Sequence, residues 1–338
     1  MICITGGGTG GHLAIARALG RELKSRGVEC IFIGSQKGQD IAWFEGSSLF
    51  KQSYFLASSG VVDKRGLKKL FSLFNILKLV KECFKIFKEH KISAVISVGG
   101  YSSAPASMAS VAARLPLFIH EQNAKIGRLN AILKPFARGF FSSYFKIKCD
   151  YPVNAEFFAK ARIRAGLKQI LFLGGSQGAS FINALALKLA PKLNELDVQI
   201  SHQSGAKEYE QIKASYEKLG IKADVFAFSK DIASYMNKAD VCVSRAGASS
   251  LWELSANALP CVFIPYAYAA GDHQYYNAKF LSDLGLCVLV RQDGASEEFV
   301  LDAIKNMDLK SISSGLKKQI NQGGAAKIID FVLKNLKK

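Results

Sequence analysis

Twice in this chain a short apolar run breaks into glycines and then into a helical pattern, and that repeat restricts the fold more than any other feature. Ile2-Cys3-Ile4-Thr5 leads into Gly6-Gly7-Gly8-Thr9-Gly10-Gly11-His12 and a helix over residues 13–24. Ile170-Leu171-Phe172-Leu173 leads into Gly174-Gly175-Ser176-Gln177-Gly178-Ala179 and a helix over residues 181–189. Strands covered on both faces of a parallel sheet are continuously apolar, and glycine lets the backbone leave such a strand in a tight turn. Further strand-like runs at 30–33, 94–98, 117–120, 199–202, 225–226, 241–244, 261–265 and 287–291 alternate with helical patterns. This alternation specifies an α/β chain of βαβ units with right-handed crossovers.

At 338 residues the chain exceeds one ordinary core, so the restart at Ile170 reads as a second Rossmann-like, doubly wound parallel-sheet domain. Asp150, Pro152 and Asn154 break the periodicity between the two. The expected division is 1–150 and 151–320, with a C-terminal helix over 321–338 returning to the first domain. Two such domains leave a cleft, and ligands bind at the carboxyl ends of the strands.

The first turn holds five glycines in seven positions. Glycine after a strand brings backbone close to a phosphate, and the following helix offers unpaired N–H groups at its positive end. Gly6, Gly8 and Gly11 also satisfy G-x-G-x-x-G, which raises an NAD-binding oxidoreductase as a rival. That site needs an acid closing the second strand, but here the run 30–33 ends in Gly34-Ser35, and Glu29 precedes it. His12, at the helix start, can serve as a general base, hydrogen-bond a phosphate or cap a loop.

Charge separates the halves. Residues 1–150 hold 22 Lys/Arg against 9 Asp/Glu, while the remainder holds 23 against 18, so the first half should meet the more anionic surface. The seven cysteines are scattered and form no C-x-x-C pair, which reads as reduced, buried thiols. No His/Cys cluster has metal spacing and no D-x-D pair stands in a suitable loop, so no metal is expected. The N-terminus lacks the basic region and long apolar core of a signal peptide, which points to the cytoplasm. Residues 64–91 carry nine Lys/Arg and two Glu. Leu73, Leu77, Val80, Phe84 and Phe87 recur at helical spacing, an expected stripe for packing on a sheet. Extra apolar groups at Phe71, Phe74 and Ile76 beside lysines mark the region from Lys64 to Phe74 as a contact for an anionic membrane surface. No aromatic platform or helix-turn-helix pattern supports nucleic-acid binding.

Taken together, GGGTGGH (6–12), SVGGYSSAP (97–105), HEQNAKIGRLN (120–130), GGSQGA (174–179), HQSG (202–205), SRAGASSLWEL (244–254) and DHQYYNA (272–278) run in one order along nearly the whole chain. In these seven motifs the chain resembles the MurG family, the UDP-N-acetylglucosamine–N-acetylmuramyl-(pentapeptide) pyrophosphoryl-undecaprenol N-acetylglucosamine transferases of bacterial peptidoglycan synthesis. The resemblance implies a GT-B fold, two Rossmann-like domains facing across a cleft, with UDP-GlcNAc mainly on the C-terminal domain and the lipid acceptor on the N-terminal one. It implies transfer of GlcNAc with inversion to the muramoyl C4 hydroxyl of lipid I, giving lipid II and UDP. No cofactor is required, since UDP-GlcNAc is a substrate. The expected location is peripheral, on the cytoplasmic face of the inner membrane, with a cell-wall synthesis complex as possible company.

Carried over residue by residue, the family's donor contacts fall on Thr9, Gly10 and Gly11 with His12 adjacent, and on Asn123, Ser176 and Gln274. The segment Ala248-Ser249-Ser250-Leu251-Trp252-Glu253 implies a helix start that receives the diphosphate and a carboxylate, Glu253, that accepts from the ribose hydroxyls. Read alone, Ser250 and Glu253 also fit a capping box. His12 is the first candidate for the base, and Glu121 is the alternative. Three departures stand out. Asn154 replaces the family's hinge arginine, Ser229 replaces an isoleucine that holds uracil through its backbone, and the loop 266–271 carries little charge. A glycolipid synthase or a sugar-nucleotide epimerase of the same fold is the rival within this class.

Overall fold

Most of the strands read from the sequence have a neighbour on either side. In the computed structural model, which describes residues 1–58, 67–145, 149–175 and 178–336 apart from the side chains of 67–73 and 270, the chain falls into two units. One comprises Met1–Pro152 with Gly323–Lys338, the other Val153–Gln322.

The first unit has β1 (Ile2–Thr5), β2 (Cys30–Ser35), β3 (Ser53–Leu56), β4 (Ala94–Ser97), β5 (Leu117–Glu121) and β6 (Gly139–Ser142), ordered β3-β2-β1-β4-β5-β6 and parallel throughout. Strands β1, β2, β4 and β5 are buried at every residue. The two strands absent from the sequence reading, β3 and β6, are the two edges. β3 is partly exposed over three of its four residues, and β6 is short and runs from Gly139 to Ser142, so neither pattern is continuously apolar. The second unit has β7 (Gln169–Leu173), β8 (Gln199–Gln203), β9 (Ala223–Phe226), β10 (Val241–Ser244), β11 (Cys261–Phe263) and β12 (Val288–Leu289), ordered β12-β11-β10-β7-β8-β9 and again parallel. Each sheet reverses its order of winding once, between β1 and β4 and between β7 and β10. That is where the loops of neighbouring strands part to opposite faces and leave room for a ligand.

The helix Gly324–Leu336 belongs to the first unit. Phe331 meets Phe118 and Phe141 edge-on, with ring centroids 6.3 and 5.4 Å away, and Asp330 pairs with Arg26. The helix Leu67–Glu89 corrects the expected stripe. Its buried face is Ile76, Leu79, Val80, Cys83, Ile86 and Phe87. Leu77 and Phe84, expected on the sheet, are 55% and 37% exposed, and Phe74 is 72% exposed. Two apolar faces at helical spacing were available, and only the sheet decided between them. No described helix is long and apolar enough to cross a membrane.

Arg164 organises the second unit. Its guanidinium is fully buried without a carboxylate partner. It donates to the carbonyls of Arg162, Met236, Ala239 and Asn257 and to the Asn257 side-chain oxygen. Met236, Ala239 and Asn257 close the helices Ile232–Lys238 and Ala248–Ala256, so the cation meets two negative helix ends. Burial pulls its pKa down to about 9, which leaves it charged at neutral pH. Replacing Arg164 with Met strands several buried carbonyls at about 1–3 kcal/mol each. We expect the thermal midpoint of this unit to fall by roughly 5–10 °C in scanning calorimetry, with little recovery in Arg164→Lys, whose three donors cannot span the set.

Candidate functional site

The first unit's turns interlock through backbone. The Gly7 N–H donates to the Gly99 carbonyl at 3.2 Å. Gly100 has φ +80°, and a Cβ there would stand 2.2 Å from the Gly7 carbonyl oxygen, so only glycine fits. Thr9 begins the helix Gly10–Ser25 as its N-cap, in extended conformation, but its side chain does not cap the helix. Its hydroxyl meets His12 Nδ1 at 2.9 Å instead. His12 Nε2 lies 2.8 Å from the Gln122 amide nitrogen. The same nitrogen lies 3.3 Å from Nδ1; in the tautomer with its hydrogen on Nδ1, the ring donates to Thr9 and accepts from Gln122 at Nε2. Gly10 and Gly11 form the first helical turn and are partly exposed.

At the end of β5, Glu121 is buried, and its carboxylate is fully engaged. It accepts from the Asn123 N–H at 3.0 Å, the Gly127 N–H at 2.9 Å and the Asn130 amide at 2.8 Å. These bonds make Glu121 an organiser of the turn that presents Asn123. His120 is fully buried against Tyr151, and burial pulls its pKa down to about 3, so it stays neutral.

In the second unit the helix Ala248–Ala256 starts at Gly247, and no side chain caps it. Glu253 stands in the second turn, so the Ser250–Glu253 capping box does not form. Gly247, Ser249, Ser250 and Glu253 are partly exposed, while Ala248 is buried. Arg245, just before this start, is buried and donates to the carbonyls of Ile264 and Pro265, at 3.0 Å each, and to Gln292. It therefore ties the turn after β10 to the loop after β11. In that loop the Tyr266 N–H donates at 2.9 Å to Gln274, in the first turn of the helix His273–Ser282. Ser229 uses its hydroxyl to accept the Asp231 N–H at 3.1 Å, and the neighbouring Phe228 ring is 61% exposed. Asn154 precedes the short helix Ala155–Ala159 without capping it. Ser176 lies outside the described residues.

Family models match both halves: the glycosyltransferase family 28 N-terminal domain over residues 2–142 and the C-terminal domain over 169–331. Curated proteins named UDP-N-acetylglucosamine--N-acetylmuramyl-(pentapeptide) pyrophosphoryl-undecaprenol N-acetylglucosamine transferase are similar along their whole length. The one from Campylobacter fetus is 58% identical over 99% of this chain and 100% of its own, and that from Campylobacter hominis is 56% identical over 99% and 98%. The crystal structure of Acinetobacter baumannii MurG superposes with TM-score 0.81 at 26% identity, covering 98% of this chain and 99% of that one. The chain belongs to the MurG family of glycosyltransferases.

Its fold is GT-B, two parallel six-stranded Rossmann-like sheets. Four of the seven MurG-family motifs fall at the two reversals of winding. GGGTGGH and SVGGYSSAP follow β1 and β4, and GGSQGA and SRAGASS follow β7 and β10. Gln122 and Arg245 stood inside quoted motifs, yet nothing in their spacing assigned them a task. Among the described residues, no group of three or more His, Cys, Asp or Glu is placed to hold a metal ion.

The HQSG motif ends in a buried network. His202 contacts the Tyr216 hydroxyl through Nδ1 at 3.0 Å and Asn183 Oδ1 through Nε2 at 2.9 Å. Asn183 in turn donates to Glu208 and to the Ser204 carbonyl. Burial lowers the His202 pKa from 6.5 to about 4. The unfolded chain therefore binds the extra proton first, and the stability is intact above pH 6.5 and lost as pH falls toward 4. A thermal-shift series from pH 7.5 to 4 should show the second unit's midpoint dropping through that window. His202→Gln should flatten this acid limb, and an equally steep limb in the variant would assign it to other groups.

Proposed function

We propose that the chain transfers N-acetylglucosamine from UDP-GlcNAc, with inversion, to the C4 hydroxyl of the muramoyl unit of undecaprenyl-pyrophosphoryl-MurNAc-pentapeptide, converting lipid I to lipid II in peptidoglycan synthesis. The observation that carries this is identity above half, end to end, with relatives that bear that activity in their names. In this reading UDP-GlcNAc is held by the second unit. Its diphosphate lies at the uncapped start of the helix Ala248–Ala256, where backbone N–H groups and the positive helix end favour an anion. Glu253 takes the ribose hydroxyls, and Gln274, Ser176, Ser229, Asn154 and Asn123 complete the donor contacts. No cofactor is required, because the departing charge is met by backbone donors.

The acceptor oxygen attacks the anomeric carbon as its bond to the diphosphate breaks, and UDP leaves. The hydroxyl proton passes to His12 Nε2. The imidazolium so formed keeps its Nδ1–H on Thr9, the bond that holds the ring in the correct tautomer. Gln122 must yield Nε2 to the acceptor.

Purified protein given UDP-GlcNAc should release UDP only when lipid I is supplied; release independent of lipid I, or none at all, removes this reading. His12→Ala should cut kcat by about a hundredfold or more while UDP affinity stays within about twofold. Equal losses in both make His12 a binding residue.

The protein acts peripherally, on the cytoplasmic face of the inner membrane. Support comes from the outer face of the helix Leu67–Glu89, where exposed Phe74, Leu77 and Phe84 stand among exposed Lys78, Lys81, Lys85 and Lys88. Apolar groups flanked by lysines suit an anionic headgroup layer. The region assigned from sequence, Lys64 to Phe74, lies outside the described residues except for its backbone from 67 onward and Phe74. Each lysine contributes roughly 1 kcal/mol at an anionic leaflet. Lys78→Glu, Lys81→Glu and Lys85→Glu together should weaken cosedimentation with phosphatidylglycerol vesicles by roughly a hundredfold, and unchanged sedimentation would retire this surface.

A further inference from the structure

A dinucleotide-binding fold keeps an acid at the end of its second strand for a ribose. Here each unit has an acid five residues beyond that strand, and each acid turns onto its own fold. In the first unit it is Asp40, past Ser35 at the end of β2; in the second it is Glu208, past Gln203 at the end of β8. Glu208 accepts from Ser180 and Asn183 in the first turn of the helix that follows β7. Asp40 reaches the turn that follows β1.

Asp40 is fully buried. One carboxylate oxygen accepts the Gly8 N–H at 2.5 Å and the other the Ser35 N–H at 2.8 Å. Gly7 and Gly34 make room for it, since a Cβ on either would come within 2.5 and 2.8 Å of its oxygen. From the other side, a Cβ on Gly38 (φ +87°) would stand 2.6 Å from the Gly8 carbonyl oxygen, and the Tyr101 ring covers the Gly8 Cα. Gly8 is thus bonded at its N–H and crowded at its carbonyl and its α-carbon. Gly6 and Gly7 donate to Ile33 and Gly99, so the first three N–H groups of the turn are engaged within the fold. Thr9 is the next residue, and Thr9 orients His12.

We infer that Asp40 is a positioning residue: it fixes the Gly7–Gly8 peptide, and so the approach of the chain to Thr9, and through Thr9 it fixes the direction and tautomer of His12. The inference rests on His12 being the base of the transfer reaction. A buried carboxylate with no cation beside it is a costly way to brace a loop, and its two charge-assisted bonds are stronger and more directional than a neutral pair. In Asp40→Asn the amide keeps an acceptor for Gly8 but turns a donor toward the Ser35 N–H, so the turn shifts while volume is conserved.

A double-mutant cycle tests this. Asp40→Asn should lower kcat by about tenfold or more with UDP affinity unchanged, and should add no further loss in the His12→Ala background. Gly38→Ala, which presses on the Gly8 carbonyl, one peptide nearer Thr9, without touching the carboxylate, should behave alike and serves if Asp40→Asn does not fold. UDP titration and thermal midpoints report folding in every variant. Losses that add to those of His12→Ala, or that track the fall in midpoint, overturn the inference. A His12→Ala enzyme that keeps its kcat instead overturns the base assignment on which it rests.

Discussion

The reversal of winding in each parallel sheet is the constraint on which the rest depends. Parallel strands all end at one edge, and right-handed crossovers send successive loops to one face until the order reverses. At β1 and β4, and again at β7 and β10, adjacent strands send their chains to opposite faces. The backbone there is left uncovered, and these positions carry the glycine-rich and small-residue motifs. Residues as distant in sequence as Gly7 and Gly99 become hydrogen-bonded neighbours for this reason.

A loop that offers backbone N–H groups to a ligand must be held in shape by something other than those groups. In this chain buried carboxylates do much of that work. Asp40 holds Gly8 and Ser35, and Glu121 holds Asn123, Gly127 and Asn130; at the opposite edge of the second sheet, where β7 begins, Asp240 holds the Lys168 and Gln169 N–H groups and Arg162. The chain has 45 Lys/Arg to 27 Asp/Glu, yet these three acids face mainly backbone donors. Exposed ion pairs contribute little, whereas a carboxylate accepting N–H groups inside the fold fixes geometry. Arg164 and Arg245 are the counterpart on the cationic side: each is buried and ties together carbonyls from separate segments.

Much of this was legible in the residues. Ten of the strands announced themselves as short, largely apolar runs closed by turns, the eight interior ones and the edges β9 and β12. The edge strands β3 and β6 did not, since a strand with one open side tolerates Ser53 and Tyr54 or begins at Gly139. The stripe on the helix Leu67–Glu89 was misassigned because Leu77 and Phe84 share the helical period with Val80 and Phe87, and periodicity does not say which side meets the sheet. The donor-side serine and glutamate offered a capping box, and only the observed helix start at Gly247 removed it.

By itself the sequence determined the alternation of strand and helix, the positions of the turns and the family, because each of these is written in contiguous residues whose backbone preferences and burial are local. Tertiary structure alone decided the strand order, the face each helix buries and the partners of the charged side chains. Nothing in the sequence ties Asp40 to Gly8 or Glu121 to Asn130; the folded unit brings them together. Hydrogen bonds between residues far apart in the chain depend on which strands lie side by side, and that follows from packing the whole unit rather than from any stretch of it.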